Sequence, residues 1–171
     1  QAPPAGRTKG TETVPMVDWD LAGIWYATSK DGVTWQEQGV AVPRPPEPQR
    51  GWRSVCTPDV FAWKGKYYLY YQCYSRTPEE VAKKGAQGEG DCPVAVSVAE
   101  SPDGPWRRHP GIVVPTGEAD EWDAHAINDP FPLVYRGKIY LYYKSRLYHG
   151  DRPKRAEMAH GLAIAEGPLG P

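Results

Sequence analysis

Glu121–Ser145 reads EWDAHAINDPFPLVYRGKIYLYYKS. Its centre predicts a β-hairpin: an apolar run through Val134 follows Asp129-Pro130, a turn falls at Arg136-Gly137-Lys138, and a second run spans Ile139 to Tyr143. Pro130 and Pro132 remove backbone donors that a helix needs, while Tyr, Ile and Val favour a pleated, half-buried surface. The first strand of this hairpin opens on a carboxylate. Much of the pattern occurs once before. Thr57–Tyr71, TPDVFAWKGKYYLYY, aligns without a gap on Asp129–Tyr143, DPFPLVYRGKIYLYY, at an offset of 72 residues, with Gly65 on Gly137 and Tyr71 on Tyr143.

A second repeat has the same spacing. Ile24–Gly32, IWYATSKDG, matches Val96–Gly104, VSVAESPDG, again at 72, and Gly161–Pro171, GLAIAEGPLGP, is a looser third copy. A fixed period means that each unit cannot bury its faces alone and must stack on its neighbours. Within one period the order is strand, Gly-Lys turn, strand, variable loop, strand, Ser-x-Asp-Gly turn, and a last strand carrying Trp35 or Trp106. Four antiparallel strands per unit is the plan of a β-propeller blade. The predicted fold class is therefore all-β, a β-propeller with about two and a half four-stranded blades present. Residues 1–17 read as a linker or extended loop. The partial propeller covers 18–171, divided into 18–50 (the end of one blade), 51–115 (a complete blade) and 116–171 (most of a third). The Tyr67–Tyr71 and Tyr140–Tyr143 runs are expected to form core between blades, because alternation along a strand buries both faces. Trp35 and Trp106 are expected to pack there too.

Closed propellers carry about four to eight blades, more than 171 residues can supply. The chain is accordingly expected to be part of a larger assembly, completed by further blades of the same protein or by an oligomeric partner. Twenty basic and 21 acidic residues give a net charge of −1, which leaves no basic field for nucleic acid or an anionic membrane. No apolar run approaches the roughly 20 residues of a membrane helix. Pro43–Pro48, PRPPEP, reads as a stiff connection between blades, and Pro78–Lys84, PEEVAKK, capped by Thr77, is the one expected helix. Cys56, Cys73 and Cys92 have no metal-binding spacing. A Cys73–Cys92 bridge would close the 76–91 loop in an exported protein; three buried thiols are the alternative.

Chemistry is expected where successive blades present the starts of their first strands. Thr57 occupies the place of Asp129 in the preceding blade, with Asp59 two residues later, so the carboxylate is not a structural constant of the repeat. Asp129 has a plain structural reading as a turn residue capping nearby amides. Its flanks add Glu121, Trp122, Asp123, His125 and Asn128, and Trp52, Arg53 and Thr57 precede Asp59. Aromatic faces, amides, carboxylates and an Arg are the groups that sugar hydroxyls and pyranose C–H faces require. Glycoside hydrolysis needs a protonated acid and, with inversion, a carboxylate base roughly 6.5–9.5 Å away. A third carboxylate can raise the acid's pKa. His125 can orient Asp129, bind a hydroxyl, line the channel beside a cation or water, or simply pack. No metal constellation emerges and no cofactor is required, although a channel cation remains compatible with the pattern.

WYATSKDGVTW, CTPDVFAWKGKYYLYYQ and INDPFPLVYRGKIYLYYKS resemble the five-bladed propeller glycoside hydrolases of families 43 and 117. The likeness runs from Asp18 to Pro171 and is strongest to family 117, the α-1,3-(3,6-anhydro)-L-galactosidases or neoagarobiose hydrolases. The resemblance implies an inverting exo-hydrolase of marine galactan oligosaccharides, secreted or periplasmic, needing neither nucleic acid nor membrane. It also implies that the general base lies in a blade before Gln1 and the general acid in one after Pro171. Only the middle acidic residue, which tunes the acid and contacts substrate, has a match here, and that is Asp129. Trp52, Arg53, Asp59, His125 and Asn128 are the expected sugar contacts. Two other classes of function fit the residues: a non-catalytic carbohydrate-binding propeller, and a structural or interaction module whose Asp and His residues only cap turns.

Overall fold

The computed structural model describes residues 21–75, 92–118, 121–124, 126–147 and 157–170. The expected linker at 1–17, the expected helix at 78–84 and His125 lie outside these residues. The described residues form nine strands and no helix: β1 (Ile24–Ser29), β2 (Trp35–Val42), β3 (Ser54–Trp63), β4 (Lys66–Tyr74), β5 (Val94–Ala99), β6 (Arg107–Arg108), β7 (Asn128–Tyr135), β8 (Lys138–Leu147) and β9 (Glu157–Ala165). They pair antiparallel into three consecutive sheets, β1-β2, β3-β4-β5-β6 and β7-β8-β9. The middle sheet has the four strands of a propeller blade.

The two hairpins at the heart of the repeat close in the same way. Lys64 and Gly65 have φ of 46° and 81°, Arg136 and Gly137 have 47° and 77°. Two successive left-handed residues make a type I′ turn, whose twist matches that of the flanking strands and which favours glycine at its second position. The Ser-x-Asp-Gly turns are closed by side chains. Asp31 Oδ1 accepts the amides of Val33 (2.9 Å) and Thr34 (2.7 Å), and these bonds hold its carboxyl below the usual range. Ser101 Oγ accepts the Asp103 amide at 3.3 Å.

Burial alternates along β4 and assigns its two faces to different neighbours. Tyr68 and Tyr70 join Trp63, Val94, Val96, Ile127, Ile139 and Leu141 in a core against the third sheet. Leu69 and Tyr71 join Ile24, Val42, Val55, Cys73 and Ala95 in a core against the first. Each such fully buried side chain contributes about 1.5–3 kcal/mol. The tyrosine run of β4 is thus inter-blade core, as its alternation predicts. Backbone bonds also cross between sheets, from Val55 N to Ala22 O at 3.0 Å and from Ile127 N to Cys92 O at 2.8 Å.

The outer faces depart from expectation. Trp35 is 63% exposed and Trp25, opposite Val40, 61%, because no described sheet covers that side of β1-β2. Trp106, by contrast, packs against the core between the first two sheets. Phe131, Tyr142 and Leu162 are likewise exposed on the far side of the third sheet. The sulfurs of Cys73 and Cys92 act as separate thiols, donating to Pro93 O (3.6 Å) and Ile127 O (3.8 Å). No helix among the described residues is long and apolar enough to cross a membrane.

Candidate functional site

The first strands of the second and third sheets, β3 and β7, lie side by side, and both are distorted near their first residues. Register shifts between Cys56 and Asp59 and between Asn128 and Phe131 mark a β-bulge at the same place in each repeat. Thr57 (φ 47°) and Asp129 (φ 48°) occupy the bulges in left-handed conformation. Asp tolerates that region; for a β-branched Thr it is an outlier that the surrounding structure must hold in place. A bulge re-aims the side chain it carries, and here two neighbouring blades re-aim the same position.

What holds each residue differs. The Thr57 hydroxyl bonds Gln72 Oε1, and the Gln72 amide nitrogen crosses to the next blade, donating to Asn128 Oδ1 (2.5 Å) and to Ile127 O (3.3 Å). Tyr74 OH also donates to Asn128 Oδ1, at 3.2 Å, and burial pushes its pKa well above the usual range. Gln72 is 2% exposed, so this amide is a buried clamp between β4 and the start of β7. Asp129 instead pairs with Lys144 Nζ on the surface, their side chains 44% and 35% exposed. The two starts converge electrostatically: the Cys56 thiol is raised chiefly by burial, with the Asp129 charge adding to the effect.

The other expected contacts are spread around this pair. Trp52 is half-buried, its ring lying 5.3 Å from the Arg53 guanidinium carbon, and its carbonyl accepts Arg44 Nη1 at 2.7 Å. Arg53, expected to meet a sugar, is 1% exposed and lies within the protein, where it steadies the Trp52 ring. Asp59 is half-buried opposite Tyr70, and burial raises its carboxyl above the ordinary 3.8. No hydrogen bond or ion pair joins Asp59 or Trp52 to Asp129 among the described residues. A second polar group flanks β7: Tyr143 OH donates to Asp123 Oδ2 (2.8 Å), and Trp122 stacks on the Tyr143 ring at 5.6 Å and 14°. Among the described residues, no three of His, Cys, Asp and Glu gather as a metal site.

Gln72, Tyr74 and Lys144 were not among the residues singled out from sequence. The repeat itself carried the signal, since the 72-residue offset that maps Thr57 onto Asp129 also maps Gln72 onto Lys144.

Consecutive antiparallel sheets, the middle one of four strands, with a β-bulge at the same place in β3 and β7, follow the plan of β-propeller blades. The model of glycosyl hydrolases family 43 matches residues 13–164, and the chain belongs to that family. Among solved structures it is similar to Zg3597, a family 117 glycoside hydrolase produced by the marine bacterium Zobellia galactanivorans. The identity is 52% and the TM-score 0.79, over 95% of this chain and 44% of that one. A Bombyx mori β-fructofuranosidase in complex with sucrose shares the fold at 18% identity and a TM-score of 0.53, over 83% of this chain and 27% of that one. The chain thus spans less than half the length of either protein. No curated protein sequence matches it significantly.

Proposed function

We propose that this chain is part of a secreted or periplasmic glycosidase, an inverting exo-hydrolase that removes a terminal sugar from agar-type galactan oligosaccharides. The observation that carries the reading is Asp129, a carboxylate held left-handed on a bulge at the start of the first strand of its sheet, with Lys144 as counter-charge. The 52% identity to a family 117 glycoside hydrolase supports it.

In this reading Asp129 works through its charge and its acceptor oxygens. A carboxylate close to the general acid raises that acid's pKa by like-charge repulsion, keeping it protonated until it delivers its proton to the leaving oxygen. The same oxygens accept hydrogen bonds from sugar hydroxyls. Trp52 offers an aromatic face, with Arg53 fixing its ring from behind, and Asp59, Asn128 and His125 supply polar contacts. The base and acid come from further blades of the same protein or from an oligomeric partner, and no cofactor takes part.

The test is sugar release from neoagarobiose by the complete protein and by its Asp129→Asn variant. Turnover is expected to fall by about 10²-fold or more, with disaccharide binding and thermal midpoint nearly unchanged. Undiminished turnover in Asp129→Asn removes Asp129 from the chemistry. Binding without turnover in the unmodified protein instead makes the molecule a carbohydrate-binding propeller.

A further inference from the structure

A cavity that Asp129 does not line opens where the segment entering β3 passes the outer strands of the middle sheet. It is an open cleft of about 200 Å³, room for several water volumes. Its polar walls are Gln49, Arg50, Arg108 and His109, and Ala95 and Ile112 form apolar parts of its lining. Among the described residues, no acidic one lines it. Among the described residues no carboxylate pairs with Arg50 or Arg108; the ion pairs formed are Lys66–Glu100, Lys138–Glu166 and Lys144–Asp129.

Arg108 is held in place before any ligand arrives. Its guanidinium carbon lies 5.8 Å from the centre of the Tyr71 ring, and Tyr71 is itself fixed by burial and by a 3.1 Å bond between its hydroxyl and Ser97 Oγ. On another side, Arg108 Nη2 approaches Gly51 so closely that a Cβ there would stand 2.8 Å away. Gly51 has φ of 86°, so both the backbone and the space call for glycine. A guanidinium clamped between a ring and a glycine loses little entropy on binding, and its planar donors match an oxyanion. A surface arginine with no such walls would be free to remain hydrated.

The geometry points to an oxyanion site: the cavity binds a sulfate, phosphate or carboxylate group through Arg108 and Arg50, with Gln49 and His109 as further polar neighbours. The shared chemistry covers a free anion and an anionic substituent on a sugar chain. The site does not depend on the proposed hydrolysis, because its test reads binding and not turnover.

Isothermal titration of the protein at low salt with galactose 6-sulfate, galactose and inorganic sulfate tests it. Galactose 6-sulfate or inorganic sulfate is expected to bind at least about tenfold more tightly than galactose. Arg108→Gln and Arg50→Gln are each expected to weaken that binding by about tenfold, with galactose unaffected. Arg50 is exposed, so Arg50→Gln keeps the test valid should Arg108→Gln unfold. Tighter binding of the sulfated sugar than of sulfate marks a substituent on a sugar chain as the ligand; equal binding marks a free anion. If neither anion binds better than galactose, or both arginine variants bind the anions as the unmodified protein does, the site is overturned.

Discussion

Thr57–Gln72 and Asp129–Lys144 are the same pair of positions in successive blades, 72 residues apart, solved with opposite chemistry. In the middle blade the pair is neutral and its amide buried, and the amide reaches across to Asn128 of the next blade. In the third blade the pair is charged and open to solvent. A neutral buried amide leaves no net charge to desolvate and serves to join blades. The Asp129–Lys144 pair instead stays in contact with solvent. One backbone device, the left-handed bulge, thus carries a buried amide link in one repeat and an exposed ion pair in the next.

The sharpest way to break that comparison is to neutralise each partner in turn. Asp129→Asn is expected to lower turnover about 10²-fold or more, whereas Thr57→Ala changes it less than about tenfold; equal losses in sugar-release assays would erase the distinction. Stability is expected to sort the opposite way. Gln72→Ala removes the buried amide that bridges the two blades, with its bonds to Thr57, Asn128 and Ile127, and should cost about 2–3 kcal/mol in urea denaturation. Lys144→Ala removes one half of an exposed ion pair and should cost less than about 1 kcal/mol, shrinking further at high salt.

A neighbouring position extends the comparison. Ser145 occupies the place of Cys73, is fully buried, and its hydroxyl has no hydrogen-bond partner among the described residues. Ser145→Cys copies the middle blade and should raise stability by about 1 kcal/mol, read as a shift in the denaturation midpoint. The smallest effect belongs to Asp59. Its carboxyl is raised by burial, so its ionisation opposes folding: the penalty is absent below the ordinary 3.8 and appears as pH rises through the folded value. Asp59→Asn should therefore gain about 0.5 kcal/mol or less over the unmodified protein at neutral pH and nothing at pH 3, since the group is partly solvated.

The hairpins, their turns and the burial of the β4 tyrosines were legible because each rests on local spacing: alternation, a Lys-Gly or Arg-Gly pair, an Asp-Gly turn. Asp129 was legible through the repeat, by differing from Thr57. Gln72 and Lys144 were hidden because they read as the tails of aromatic runs, and only a partner far along the chain gives them meaning. The exposure of Trp35 and the burial of Arg53 were equally out of reach. Whether a strand's second face is covered, or an arginine lies under a tryptophan, depends on which segments meet in space.

The type I′ turns at Lys64-Gly65 and Arg136-Gly137 carry a consequence for the order of folding. They join strands adjacent in sequence, and such hairpins close in about 1–10 μs. The Gln72–Asn128 bond spans 56 residues and can form only after two hairpins have met, a late event by the logic of loop closure. Loss of the Gln72 amide should therefore appear mainly as faster unfolding, with the refolding rate little changed. The hairpins set how quickly the chain finds its blades, and the buried amide sets how long the blades stay together.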